Sequence, residues 1–140
     1  MRMWQSRFEV AKDAFEGYSF YKKAQSVWVC SDTDLPRLRY EAIGMRMMSL
    51  KDRPWKPTTC ALQIFGRHAR KNVLHLSSEQ AAAFMAGESL RISAVPEPEA
   101  GYVVVFYNDS VLGCGLYSRG RLISQIPRES RTMREEGDDI

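Results

Sequence analysis

The chain has 140 residues, 44% apolar and 11% aromatic, with a formal charge of +3. That length supplies one well-formed core and excludes two ordinary domains, and that apolar content excludes a disordered chain. The longest apolar runs reach about six residues, far below the ~20 that a membrane-spanning helix needs, and the leading MRMWQSRFEVAKD is charged throughout, so a soluble, cytoplasmic protein is expected.

Residues 6–15 place Phe8, Ala11 and Phe15 at helical spacing, which predicts a short amphipathic helix ended by Gly17. Tyr18–Lys23 and Val27–Cys30 read as strands of a hairpin. Their aromatic density suits either a base-stacking platform or an ordinary core, and in a small domain the core reading is the stronger. The turn-rich Ser31–Pro36 marks the expected boundary between an N-terminal helix-hairpin subdomain, residues 1–36, and a main domain, residues 37–131.

In the main domain, Arg37–Ile43 alternates charged and apolar residues as a half-exposed strand does, and Gly44 ends it. After the apolar Met45–Leu50 comes a basic loop in which Lys51, Arg53 and Lys56 surround Trp55. Pro57 is expected to open a helix over 58–65 that Gly66 closes. Cations beside a helix start make a natural phosphate site. Arg67–Asn72 reads as a solvated connector and Val73–Leu76 as a buried strand. Ser77 caps a helix, with Gln80 placed for a capping box, and Leu90–Val95 reads as a further strand.

The next stretch, Gly101–Arg131, predicts a three-strand meander, with turns at Asn108-Asp109-Ser110 and Ser118-Arg119-Gly120. Gly113 and Gly115 bare one face of the middle strand, which invites a close approach by a backbone, a helix or a ligand. Arg119, Arg121, Arg128 and Arg131 crowd its exit, opposed there only by Glu129. A bare strand beside a basic rim suits a polyanion. Residues 132–140, acidic and without apolar periodicity, read as a disordered tail.

Charge is sorted along the chain: residues 37–71 hold nine Lys or Arg against two acids, and residues 72–110 hold one base against five acids. Such sorting is compatible with a basic face for nucleic acid. Catalytic signatures do not stand out. Neither phosphate-loop nor dinucleotide glycine pattern occurs, His68 and His75 are seven apart, and Cys30, Cys60 and Cys114 have neither zinc nor disulfide spacing. A non-enzyme without metal or cofactor is expected. The elements together predict an α+β fold, a small mixed, mostly antiparallel β-barrel with two or three short helices and an N-terminal α/β extension.

The order of these features, with Leu-Ser-Ser-Glu-Gln at 76–80, Leu112-Gly113-Cys114-Gly115 and Pro127-Arg128-Glu129, resembles the C-terminal PUA-like domain of the Nol/Nop/Sun (Fmu) family of RNA cytosine-5 methyltransferases, in particular its short stand-alone ribosome-biogenesis type. The resemblance covers about residues 37–131. It implies a PUA-like fold and a non-catalytic protein that binds structured rRNA or tRNA. Where that family often has Gly-Trp-Gly-Lys, this chain reads Gly113-Cys114-Gly115-Leu116, without the indole and the cation. The expected RNA contacts are Arg119, Arg121, Arg128, Arg131, Lys51, Arg53 and Lys56, with Trp55, Gly113 and Gly115 beside them. The alternative is a protein-interaction subunit that docks on an RNA methyltransferase.

Overall fold

The computed structural model describes residues 2–31, 45–52 and 55–131. The expected strand at 37–43 and the tail at 132–140 lie outside them, as does the 36/37 boundary. The described chain is an α+β fold of two mostly antiparallel sheets and three α-helices, and one sheet curls into a half-barrel. No helix among the described residues is long and apolar enough to cross a membrane.

Helix α1 spans Arg2–Phe8, and a 3-10 turn covers Lys12–Phe15. The single helix expected over 6–15 is therefore corrected to two pieces. Glu9 between them has a positive φ of 51°, which no helix accommodates. The apolar pair that anchors α1 is Trp4 and Phe8, one turn apart and both fully buried.

Strands β1 (Tyr18–Lys23) and β2 (Ser26–Ser31) form the expected hairpin. Its two-residue turn, Ala24-Gln25, has φ of 49° and 62°, so the primed geometry that fits strand twist is reached here without glycine. Strands β3 (Met45–Ser49) and β4 (Lys56–Pro57) complete a four-stranded antiparallel sheet in the order β1-β2-β3-β4. Pro57 pairs with Met48 in this sheet and does not open a helix. Helix α2 (Thr59–Phe65) starts instead from Thr58, whose hydroxyl accepts from Ala61 N at 3.2 Å and donates to Arg46 O at 2.8 Å.

Strand β5 (Val73–Leu76) leads to helix α3 (Ser78–Met85), where Ser77 and Gln80 form the expected capping box. Strand β6 is only Ser89–Arg91, shorter than the expected 90–95. The meander is as expected: β7 (Gly101–Tyr107), β8 (Ser110–Ser118) and β9 (Arg121–Ser124). The five-stranded sheet runs β5-β7-β8-β9-β6, antiparallel except where β5 lies parallel to β7.

The apolar run Val103–Phe106 is continuous because β7 is covered on both faces. Val104 and Phe106 enter one core with Trp4, Phe8, Met47 and Phe65. Val103 and Val105 enter a second core with Phe84, Tyr117, Leu122 and Ile126. Strand β8 divides the same way, with Cys114 in the first core. The N-terminal elements thus roof one end of the meander and leave its other end open.

Candidate nucleic-acid interface

In antiparallel strands, residues directly opposite each other share a face, and the face alternates along each strand. The register therefore places Tyr102, Leu116, Ile123 and Ser89 in one row across β7, β8, β9 and β6. The next row on the same face is Ser118, Arg121 and Arg91. Tyr102 packs against the edge of the first core, and the second row lies beyond it. Ser118, Arg121 and Arg91 are exposed, and Ile123 is 37% exposed.

Two features make the face electropositive. Arg91 and Arg121 stand directly opposite each other, an arrangement that costs stability in a free protein and suits a bound anion. Arg119, at φ 48° in the β8–β9 turn beside Gly120, adds a third exposed guanidinium next to the row. At the other edge, Lys56 Nζ sits 5.9 Å from the centre of the Tyr102 ring, within cation–π range. Burial and, after it, the nearby Asp52 carboxylate push the Tyr102 phenol up. Asp52 and Lys56 therefore border this face.

Of the sequence-predicted contacts, Arg121 lies on this face, Arg119 in the adjoining turn and Lys56 beside Tyr102. Lys51 is exposed just beyond β3, its amide bonded to Ser49 Oγ, and Arg53 lies outside the described residues. Arg128 is exposed on a 3-10 turn, Arg128–Ser130. Arg131 turns back on the protein: its Nε donates to Ile126 O at 3.0 Å, and its side chain covers Gly87. Trp55 is half-buried, stacked on Trp4 with centroids 5.8 Å apart and edge-on to Phe8.

The two glycines of β8 face the protein interior. A Cβ at Gly113 would stand 2.7 Å from Ile126 Cδ1 and 3.1 Å from Thr59 Cγ2, and one at Gly115 would overlap Leu122 and press on Val105. The close approach they allow is that of the second core and of α2, and the open strand face suggested by the sequence is filled by these side chains.

Three further residues matter that the sequence reading passed over. Tyr102 sits in an apolar run of the sequence and Arg91 is the one base of residues 72–110; strand register sets Arg91 opposite Arg121, and Lys56 packs over Tyr102. Arg7 locks α1 to the start of β7, its guanidinium donating to Tyr102 O at 2.8 and 3.0 Å and to Glu99 O at 3.0 Å. Burial lowers the Arg7 pKa, and Glu99 opposes that shift.

Residues 71–132 match the family model of the methyltransferase RsmF PUA domain. Comparison with curated proteins gives no match. The matched segment contains Arg91, Arg121, Tyr102 and the whole meander, whereas Lys56 lies before it. The chain therefore carries, from Lys71 through the end of the meander, a PUA-like domain similar to that of methyltransferase RsmF.

Proposed function

We propose that this chain is a non-catalytic RNA-binding protein that recognises structured rRNA or tRNA in ribosome biogenesis or RNA modification, acting in the cytoplasm. The observation that carries this reading is the open sheet face with Arg91 opposite Arg121, inside a segment that matches a PUA domain of a methyltransferase. Guanidiniums at that spacing address adjacent phosphates. Tyr102, with Lys56 beside it, offers a ring edge to an unpaired base. Phosphate contacts then supply most of the affinity, and sequence choice rests on RNA shape and unpaired bases.

The test is a mobility-shift titration with unfractionated tRNA and rRNA fragments, comparing wild type with Arg91→Gln and Arg121→Gln. Each variant removes one cation from an exposed like-charge pair, so affinity falls while thermal stability stays level or rises by a few tenths of a kcal/mol. Unchanged affinity in both variants contradicts this assignment of the face. A second reading, docking on an RNA methyltransferase, draws on the same family match. Purification of partners with and without nuclease separates the two, because an RNA-bridged partner is lost on digestion.

A further inference from the structure

The connector Arg67–Asn72, which the sequence presents as a solvated loop, is tied to the fold by backbone and side-chain hydrogen bonds. Arg70 N and Lys71 N both donate to Phe8 O, at 2.9 and 3.2 Å, and Ala69 N donates to Gly66 O at 2.9 Å. Asn72 is buried at φ 58°; its Nδ2 donates to Arg7 O at 2.7 Å and its Oδ1 accepts from Glu99 N at 2.8 Å. The side chains of Arg67, Arg70 and Lys71 are nonetheless exposed. Lys71 pairs with Glu99 and Arg67 Nε donates to His68 Nε2 at 3.3 Å, so a fixed backbone here presents cations that are already partly ordered.

Three concavities run past this connector and share walls. One, of about 710 Å³, is lined by Arg67 and Arg70; the next, of about 570 Å³, by Arg70 and Lys71; the third, of about 440 Å³, by Lys71, Arg7, Arg2 and Trp55. Arg70 lines the first two concavities and Lys71 the last two, so the cations are spread over all three and are not gathered in one. That spacing fits a chain of phosphates better than a single small anion. Trp55, at the end of the line, is followed directly by Lys56, which borders the Tyr102 face.

Three acids also line this track, and two are already engaged. Glu99 is held by Lys71 at 2.9 Å and Arg7 at 3.6 Å, and Glu97 accepts from the Tyr117 hydroxyl. Asp13 is the third. Arg2, Arg67 and Arg70 are exposed and set the sign of the surface.

We propose that an RNA strand engaged on the sheet face continues past Trp55 and along the ridge Arg2–Lys71–Arg70–Arg67, which grips its ribose–phosphate backbone, and that Glu99 restrains this grip by occupying Lys71. The proposal rests on the RNA-binding reading. It goes beyond it in placing a second contact surface, mostly ahead of the segment that matches the PUA model.

The test uses the full chain, with unfractionated tRNA and a uridine homopolymer as probes, followed by fluorescence anisotropy across salt concentrations. The combined variant Arg67→Gln, Arg70→Gln, Lys71→Gln is expected to bind roughly tenfold or more weakly at low salt. Its log–log salt dependence becomes shallower by about 2, from three phosphate contacts at ~0.7 each on a single strand. Glu99→Gln keeps the backbone amide that Asn72 holds and removes a negative charge from the track, so it binds more tightly than wild type. A ridge variant whose salt slope and affinity match wild type, while Arg91→Gln and Arg121→Gln weaken binding, overturns the ridge and leaves RNA binding standing. Glu99→Gln binding more weakly than wild type also overturns it. A wild-type chain that binds neither probe overturns both readings, and a ridge that retains acidic proteins but not RNA overturns this one.

Discussion

Asn72 joins three parts of the molecule, two of them with its side chain. It bonds the end of α1 through Arg7 O and the loop before β7 through Glu99 N, while its own carbonyl accepts from Val104 N at 3.0 Å. Asn72→Ala loses both side-chain bonds and strains a left-handed backbone, for about 2–4 kcal/mol in denaturant unfolding. Asn72→Gly loses the bonds but keeps the conformation, so it is expected to unfold less easily than the alanine variant by about 1 kcal/mol. An equal cost for the two would deny the role of the positive φ. Gly115→Ala is expected to destabilise by about 1–3 kcal/mol through overpacking against Leu122 and Val105, with RNA affinity per folded molecule unchanged. Burial pushes the Cys114 thiol up to about 12, so this cysteine should resist a thiol reagent in the native protein while the exposed Cys60 is modified. The Lys71 hydrogen bond, and then its charge, hold Glu99 below the usual carboxylate range. A lowered folded-state pKa contributes stability above the unfolded value, and that contribution is lost as pH falls through the folded one. These residues show what sequence conceals. The glycines of β8 announce a close approach, but only packing says that Leu122, Ile126 and Thr59 make it.

Among the elements, those whose signals are local were legible. The capping box of α3, the two turns of the meander and the β1–β2 hairpin all follow from residues within a few positions of one another. The elements that differ from expectation depend on distant partners. Pro57 reads as a first-turn proline until Met48 pairs with it, and the 6–15 pattern reads as one helix until Trp4 and Phe8 are seen in a core closed by Phe65 and Trp55. The parallel pairing of β5 with β7 joins segments on either side of α3, which no local pattern specifies. Because α1 is held chiefly by Trp4, Trp4→Ala is expected to cost about 3–5 kcal/mol and to expose the amides of Arg70 and Lys71 to hydrogen exchange together with those of the helix. Protection at Arg70 and Lys71 that survives the substitution would separate the connector from α1.

Taken whole, the described residues form two cores divided by β7 and β8, and Arg91 and Arg121 stand opposite each other on β6 and β9, beyond the part of the sheet that the first core covers. Charge sorting along the sequence is compatible with a basic face, and Lys56, Arg119 and Arg121 stand out in the sequence from the basic loop and the exit of the meander. The rest of the face was not legible there, because strand register sets Arg91 opposite Arg121 and Lys56 packs over Tyr102. The most direct test of the account is the salt dependence of RNA binding by the intact chain, titrated with unfractionated tRNA and rRNA fragments from low to physiological ionic strength. Binding at low salt that weakens with a log–log slope of about −2 to −4, as roughly three to five phosphate contacts require, is the predicted result. No binding at low salt, or an affinity indifferent to salt, would contradict it.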